Sequence, residues 1–361
     1  MSEQSREHRI EPPQTLQAGA EYQEVGTKRK FRLDRKLGEG ALGVVYLATN
    51  LSNGMEHAIK FMKPQILKDQ EFVDRFEREI AVGGQFPSPF ILKVIDRVEL
   101  SVGGEKQVGF VTEYVKGRNL LEELNYAEND GIQGRMRPEH VAEYIAEAAL
   151  AISTMSKAGF VHRDIKPENI YLQTLPDGSK LVRIGDFGLT APVKGWKYLR
   201  QEMNPPEHEK QFLDESHKRV TFHATVLGTP EYMSPDLFAD TDVTEKSDIY
   251  ALGVVCYQLL TGELPFTGYK NLDDLEKMVK KSPPRSFKEV DAQDVPQELQ
   301  QLVMRMLEKK AKDRIDAMEV FEKMKEWVSK NHPKKMKEMP FMYDFKKPKS
   351  LEEALKEELA A

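Results

Sequence analysis

Three closely spaced glycines could bring backbone N–H groups against a phosphate. Gly38, Gly40 and Gly43 separate one strand-like run of residues from another, VVYLATN, which starts at Val44. Glycines allow a tight strand-turn-strand whose N–H groups point at an anion with no side chain in the way. A dinucleotide-binding unit would instead place a helix after the glycines. Taken alone, the spacing is equally compatible with a phosphate-binding loop and with a plain hairpin.

A lysine and a downstream glutamate could form a phosphate clamp. Lys60 lies on the third strand-like run, and Glu79 lies beside Ile80 at the edge of the apolar face of a helix predicted over residues 69–82. A lysine that holds the α- and β-phosphates of a nucleotide needs a carboxylate to orient its ammonium group. Glu77 is the alternative partner, and an ordinary surface ion pair, which contributes little, is the alternative to a clamp. The glycines upstream favour the clamp.

The third set of chemically active residue types comprises His162, Arg163, Asp164, Lys166 and Asn169, followed by Asp186, Phe187 and Gly188. Together with the glycines, the strand lysine and the helix glutamate, they follow the order in which protein kinases carry their motifs. Chance agreement at such spacing is negligible. From about residue 31 to residue 328 the chain resembles the eukaryotic-type (Hanks-type) serine/threonine protein kinases. The resemblance implies an enzyme that moves the γ-phosphate of ATP to serine or threonine hydroxyls of protein substrates.

The resemblance implies a role for each polar residue of the third set. Asp164 is placed like the base that orients or accepts the substrate hydroxyl proton, and Lys166 like a cation beside the transferring phosphate. Asn169 and Asp186 are placed like the two Mg²⁺ ligands, and their oxygen atoms suit a hard cation. The clamp residues complete the catalytic set, so ATP and Mg²⁺ are the expected cofactors, with Mn²⁺ as a substitute metal.

The resemblance also implies which residues contact the nucleotide. Backbone groups of Glu113 and Val115 would bind adenine, while Val45 and Ala58 would cover its upper face. The glycines would lie over the phosphates. The whole predicted ATP-contacting set is Leu37, Gly38, Gly40, Gly43, Val45, Ala58, Lys60, Glu113 and Val115.

Two segments favour serine and threonine as the acceptors. The loop sequence HRDIKPEN has the serine/threonine form, and Thr229 is placed like the threonine that bridges Asp164 and Lys166 in such enzymes. The segment that usually ends Ala-Pro-Glu in the family ends here in Asp236. Its shorter side chain can still pair with Arg314, although less tightly.

Substrate sequence preference is only weakly encoded. Glu168 lies where kinases that prefer basic substrates place an acid facing an arginine. Gln258 occupies a second such place without a charge. We therefore expect a weak preference for basic residues.

Regulation by phosphorylation is expected because Arg163 precedes the catalytic aspartate, as it does in relatives that are switched by their activation loop. Thr225 matches the usual acceptor position and Thr221 is the second candidate; unphosphorylated threonines are the alternative. The segment over residues 191–219 is longer than most relatives need. It would fold over the active cleft or bind a partner, and an inert insertion is the alternative.

Two further positions concern support of the site. Asp248 matches a helix residue that anchors the catalytic loop from below. Gly83, four residues after Glu79, stands where kinases usually carry a bulky apolar side chain against Phe187. This departure predicts an under-packed helix position, so that the active arrangement would need help from a partner or from local repacking.

The rest of the sequence predicts the elements that position these residues. Strand-like runs and one helix form a small antiparallel lobe over residues 29–115, and a helical lobe over residues 116–330 contains the activation segment 186–236. Residues 1–28 are predicted to be a flexible tail, and residues 331–361 a C-terminal tail with a short helix. The expected fold class is α+β, the bilobal protein-kinase fold, with ATP in the cleft between the lobes.

The amino-acid composition limits which partners and which cellular location are expected for the protein. The chain has 361 residues and a formal net charge of −6, so nothing global favours binding to nucleic acid or anionic lipid. The single Cys256 excludes an internal disulfide and fits a reducing compartment. The first residues lack the apolar core of a secretory signal, and the longest apolar run, residues 249–260, is too short to span a bilayer. We expect a cytoplasmic protein that does not insert into a membrane and that acts on protein substrates. A docking partner that binds the long insertion or the C-terminal tail is a further possibility.

Two other classes of protein compete with an active kinase. A catalytically dead scaffold would lack one of the catalytic residues, and none is missing; only Gly83 and Asp236 favour it. A small-molecule phosphotransferase shares a similar loop but has no use for an activation segment. The complete catalytic set therefore favours the protein kinase.

Overall fold

The computed structural model describes residues 15–40, 43–63, 70–86, 88–129, 134–192, 229–239 and 243–337. Its contacts divide the chain into two units: Met1–Ile80 with Val94–Tyr114, and Ala81–Lys93 with Val115–Ala361. The predicted α+β protein-kinase fold is confirmed, with an antiparallel sheet in the first unit and mostly helices in the second. Residues 81–93 belong with the second unit, which differs from the predicted small lobe.

Alternating side chains build the sheet of the first unit. Its strands are β1 (Glu21–Gln23), β2 (Lys30–Glu39), β3 (Gly43–Asn50), β4 (Glu56–Met62), β5 (Val94–Val102) and β6 (Glu105–Glu113), and α1 (Gln70–Gly83) follows β4. The strand order is β1-β2-β3-β4-β6-β5. In β4, Ile59 and Phe61 are buried while Ala58 and Lys60 lie half-buried on the opposite face, because side chains alternate along a strand. The Phe76 ring of α1 packs on Phe110 of β6 at 5.1 Å between centroids.

The first strand corrects the predicted N-terminal tail. Tyr22 of β1 pairs with Phe31 of β2 and is only 3% exposed. Just beyond β1, Glu24 forms a bridge to Leu100, and the Val25 N–H donates to the Glu99 carbonyl at 2.8 Å. This segment therefore covers both edges of the sheet. The prediction of a tail through residue 28 is wrong for this stretch, and residues 1–14 lie outside the described part of the chain.

Helices form most of the second unit. They are α2 (Leu120–Asn129), α3 (Pro138–Lys157), α4 (Pro235–Phe238), α5 (Glu245–Thr261), α6 (Leu272–Lys281), α7 (Gln297–Met306), α8 (Ala317–Asn331) and α9 (Pro333–Lys337). Helix α3 is buried on nearly all sides and packs along α5 and α8. The Thr244 hydroxyl accepts the Lys246 N–H at the start of α5, and Gly262 ends that helix with a φ of 76°. In the described ranges, no helix has the length and apolar character needed to cross a bilayer.

Short strands, which the sequence did not predict individually, lie between the helices of this mainly helical unit. They are β7 (Gly117–Asn119), β8 (Phe160–Val161), β9 (Ile170–Thr174), β10 (Lys180–Ile184) and β11 (Ala191–Pro192). Strands β10, β9 and β7 form one antiparallel sheet, and β11 pairs with β8. The β9–β10 hairpin lies between the two predicted metal ligands, because Asn169 precedes β9 and Asp186 follows β10.

The end of the second unit also differs from its prediction. Helix α9 lies beyond residue 330, and its Met336 is buried in the same apolar core as α3 and α8. The C-terminal tail predicted from residue 331 is therefore wrong for residues 333–337. The short helix predicted near residue 350 lies outside the described residues.

Candidate active site

An ion pair fixes the lysine of the predicted phosphate clamp. Lys60 Nζ lies 2.9 Å and 2.8 Å from the two carboxylate oxygens of Glu79, so one ammonium group contacts both oxygens. The Glu79 side chain is 9% exposed and that of Lys60 is 22% exposed. The other candidate, Glu77, pairs instead with Arg97 at 3.4 Å on the surface. The structure thus brings Lys60 together with Glu79, the partner preferred from the sequence.

The glycine motif forms the closed end of the β2–β3 hairpin. Gly38 pairs with Val45, and the Gly40 N–H donates to the Gly43 carbonyl at 2.9 Å. A Cβ at Gly38 or Gly40 would meet no atom within 4 Å, so the space beside both backbones is open. A Cβ at Gly43 would overlap the Phe61 carbonyl, so that glycine is required for the close approach of β3 and β4. Residues 41–42 lie outside the described chain.

One half-buried face of the sheet carries the predicted nucleotide contacts of β3 and β4. Val45 lies directly across from Lys60, and Leu47 directly across from Ala58. Val45, Ala58 and Lys60 are half-buried, which leaves this face accessible. Of the other predicted contacts, Leu37 is half-buried on β2, Glu113 ends β6, and Val115 is the first residue of the second unit after β6.

A buried aspartate anchors the catalytic loop in the second unit. The Asp248 carboxylate of α5 accepts the N–H groups of His162 and Arg163, each at 2.8 Å. Burial raises the pKa of Asp248, while the charge of His162 and the two N–H donors act in the opposite direction. Arg163 has a φ of 69°, a left-handed conformation that costs energy for a residue with a side chain. The anchor therefore holds the loop in a backbone conformation it would not adopt alone.

Two nitrogen donors converge on the Asp164 carboxylate. Lys166 Nζ lies 2.9 Å from Oδ2, and Asn169 Nδ2 donates to the same oxygen at 2.9 Å. Asn169 Nδ2 also donates to the Asp164 backbone carbonyl at 2.8 Å. The side chains of Asp164 and Lys166 are 13% and 17% exposed. The carboxylate is thus oriented beside a cation and still reachable by a substrate.

The β9–β10 hairpin brings the two predicted metal ligands together. Ile170 pairs with Ile184, and the Gly185 N–H donates to the Asn169 carbonyl at 3.0 Å. Asp186 follows with a φ of 67°, also left-handed. Because the Asn169 amide nitrogen is used by Asp164, its amide oxygen is the atom left for a cation. A carboxylate and an amide oxygen on adjacent segments fit a hard divalent metal.

Phe86 supplies an aromatic contact to Phe187 that sequence reasoning missed. Its ring lies 6.1 Å from that of Phe187 and 5.7 Å, edge to face, from that of Phe160. Phe187 also contacts the His162 ring at 5.5 Å. Phe86 comes shortly after Gly83 in the chain, and this large apolar residue was the one available signal. The Phe187 ring is therefore covered although position 83 carries no side chain.

The activation segment is described only at its two ends. The predicted phosphosites Thr221 and Thr225 and the insertion beyond residue 192 lie outside the described residues. Downstream, Asp236 Oδ2 pairs with Arg314 at 2.9 Å, and the Arg314 side chain is fully buried. The same guanidinium donates to the Glu308 carbonyl at 3.0 Å. The shorter aspartate thus reaches the arginine directly.

A polar cluster lies beside the catalytic loop. The Tyr232 hydroxyl donates to Gln258 Oε1 at 2.7 Å, and burial followed by the Glu168 charge raises the pKa of Tyr232. Glu168 is half-buried, and no hydrogen bond satisfies its Oε2 within the described residues. An unsatisfied carboxylate oxygen favours a cationic partner.

Comparison with known proteins agrees with this geometry. The protein kinase domain family matches residues 31–327, and the chain belongs to that family, in its Hanks-type serine/threonine branch. The chain is 30% identical over 295 residues to serine/threonine-protein kinase pkn3 of Myxococcus xanthus, covering 81% of this chain and 48% of that protein. It is 28% identical to serine/threonine-protein kinase PknA of Corynebacterium glutamicum, covering 73% of this chain and 50% of that protein. It is 30% identical to serine/threonine-protein kinase PknB of Mycobacterium tuberculosis, covering 66% of this chain and 33% of that protein, so the chain spans half or less of these relatives.

Proposed function

We propose that this chain is an ATP-dependent serine/threonine protein kinase. The observation that carries the proposal is the Asp164 carboxylate, which Lys166 and Asn169 hold in place while Asp248 anchors the preceding backbone. This arrangement puts a proton acceptor beside a fixed cation, a combination that suits phosphoryl transfer to a hydroxyl. The names of the relatives support the same activity.

The proposed reaction needs little covalent chemistry from the protein. The oxygen of the substrate hydroxyl bonds to the γ-phosphorus, and Asp164 accepts the proton of that hydroxyl. At the same time, the bond between the γ-phosphorus and the bridging oxygen breaks, and ADP leaves. Lys166 offsets the negative charge on the transferring group, and Lys60, oriented by Glu79, holds the α- and β-phosphates. Positioning of the reacting groups and stabilisation of transition-state charge supply most of the rate enhancement.

The nucleotide and the metal use different residues. Leu37, Val45 and Ala58 would contact the adenine ring, with backbone groups of Glu113 and Val115 at its edge, and the glycine hairpin would cover the phosphates. Asn169 and Asp186 would hold the divalent metal through oxygen atoms. When bound, the metal neutralises phosphate charge. Mg²⁺ suits this donor set, and Mn²⁺ accepts the same ligands.

Several finer features belong to the same proposal. Glu168 Oε2, which has no hydrogen bond within the described residues, supports a weak preference for basic residues in the substrate. Phosphorylation of Thr225, or of Thr221, would regulate the enzyme through Arg163. Dependence on ATP and a single buried thiol, Cys256, fit a cytoplasmic location. A docking partner for the activation-loop insertion or the C-terminal tail remains part of the proposal.

The test is transfer of labelled γ-phosphate from ATP to the protein itself or to a generic substrate, with the sites mapped by mass spectrometry. We expect label on serine and threonine, and a loss of about 10²–10⁴-fold in Asp164→Asn, the range for a lost general base. Asp291→Asn is the matched control, since Asp291 is exposed and asparagine tolerates its φ of 52°. A wild-type chain that binds ATP but transfers no label, with Mg²⁺ or Mn²⁺, would refute the proposal.

A further inference from the structure

Two buried carboxylates lie one helical turn apart on α3, away from the catalytic residues. Glu143 and Glu147 are 6% and 2% exposed. Residues at this spacing are neighbours on a helix, so two negative charges there repel each other. Burial raises the pKa of Glu147 well above its usual range, and the neighbouring Glu143 raises it further. Such a pair requires compensation from other groups.

A lysine on α9 supplies a compensating charge. Lys335 Nζ lies 2.7 Å from Glu143 Oε2 and 2.9 Å from His140 Nδ1. The Lys335 charge also acts on Glu147, whose pKa it lowers. Met336, the next residue, is buried in the core and fixes α9 against the helices. Lys335 is therefore built into the fold and is not a mobile surface charge.

The second carboxylate connects this cluster to the strand that leads to the metal ligand. Glu147 Oε2 accepts the Val182 N–H of β10 at 2.9 Å in a buried position. Two residues further on, the Ile184 N–H donates to the Phe90 carbonyl at 2.8 Å, and the Leu92 N–H donates to the Ile184 carbonyl at 2.7 Å. A side-chain carboxylate thus completes the edge of β10 just before Asp186.

We propose that Lys335 is a positioning residue for the reaction: through Glu143 and Glu147 it holds the edge of β10 and hence the placement of Asp186. Without the ammonium, both carboxylates would lie buried beside each other with less compensation, and Glu147 would hold the Val182 N–H less firmly. Helix α9 is then a functional part of the kinase domain. The role of Asp186 as a metal ligand rests on the proposed function, whereas the effect on β10 does not.

The test compares Lys335→Met with Lys334→Met, which removes an exposed ammonium from the same helix. Amide hydrogen exchange over residues 180–184 reports on β10 directly and requires no activity. We expect Lys335→Met to speed exchange at Val182 by up to about tenfold, the upper end for loss of one ordinary hydrogen bond. We expect the Mg²⁺ concentration for half-maximal phosphate transfer to rise with it.

Two further variants keep the outcome decisive. Lys335→Arg retains the charge, and the double variant Lys335→Met with Glu143→Gln removes the buried charge together with its cation, so both should return exchange at Val182 toward the wild-type rate. The proposal is overturned if Lys335→Met matches Lys334→Met at Val182. It is also overturned if exchange rises equally over β10 and α7, since that is general destabilisation. Absent phosphate transfer in wild type would overturn only the proposed function, because the exchange readout still applies.

Discussion

Replacing Phe86 by alanine tests whether this ring supports Phe187. The Phe86 side chain is 7% exposed, and its ring contacts those of Phe160 and Phe187 at 5.7 Å and 6.1 Å. Truncating a buried phenylalanine costs about 3–5 kcal/mol, of which each aromatic pair contributes about 0.5–1.5 kcal/mol. We therefore expect Phe86→Ala to lower the free energy of unfolding by about 3–5 kcal/mol, and Phe86→Leu by less, since leucine keeps most of the apolar volume. Because Phe187 adjoins Asp186, kcat should fall as well.

The assay is urea unfolding of the variants under identical conditions, together with kcat for phosphate transfer at saturating ATP. Tyr126→Ala is the matched control: it removes a ring from a side chain that is 47% exposed and stacks on Arg118 at 4.2 Å, which should cost at most about 1 kcal/mol. Equal unfolding midpoints for Phe86→Ala and Tyr126→Ala would refute the reasoning. A large loss of stability with unchanged kcat would refute its catalytic half, because Phe86 would then pack the core without acting on Phe187.

Three other substitutions test separate parts of the structure. Lys60→Met should lower kcat/KM for ATP by about 10²–10³-fold, the range for one preorganised charge; unchanged steady-state kinetics would exclude a phosphate contact. Arg314→Met should lower the free energy of urea unfolding by about 3–5 kcal/mol because it removes a fully buried guanidinium that pairs with Asp236 and donates to the Glu308 carbonyl. A loss below about 1 kcal/mol, as for a surface ion pair, would contradict that role. Glu147→Gln tests how stability depends on pH. In the unfolded chain the Glu147 carboxyl loses its proton near pH 4.5, whereas in the folded protein it keeps its proton to higher pH, so the free energy of unfolding of the wild type should fall as pH rises above about 4.5. The glutamine variant should lack this part of the pH dependence. A stability difference between the two proteins that stays constant from pH 4.5 upward would show that Glu147 does not titrate as its burial requires.

The sequence predicts an element or a contact best where its residue pattern is compatible with only one local structure. The run EHAIKFM contains strand-forming residues and predicts β4 with Lys60 on it, and the structure adds that Lys60 lies on the half-buried face. The choice of Glu79 over Glu77 follows from the apolar face of α1, and the structure contains that ion pair. Helix α5 is similarly clear, since its apolar residues are too continuous for a surface helix.

The elements that the sequence missed are those whose stability comes from distant partners. Strand β1 has Tyr22 as its one buried side chain, and its pairing with β2 supplies what periodicity does not. Strands β9 and β10 are short, and the buried edge of β10 is completed partly by Glu147, a residue far away in the sequence. Phe86 lies outside any periodic segment, so its contact with Phe187 depends on how the chain leaves α1. Local propensity carries no information about such long-range contacts.

These missed contacts converge on the segment that carries Asp186. Its backbone has a φ of 67°, a left-handed conformation that is uncommon for residues with a side chain and that aspartate tolerates better than most. Strand β10 is held by the register with β9 on one edge and by Glu147 and the residue 90–92 segment on the other. Phe187, the residue after Asp186, is held by ring contacts with Phe86 and His162. The absence of a side chain at Gly83 therefore removes one support among several, and the segment around Asp186 and Phe187 keeps these other contacts without it.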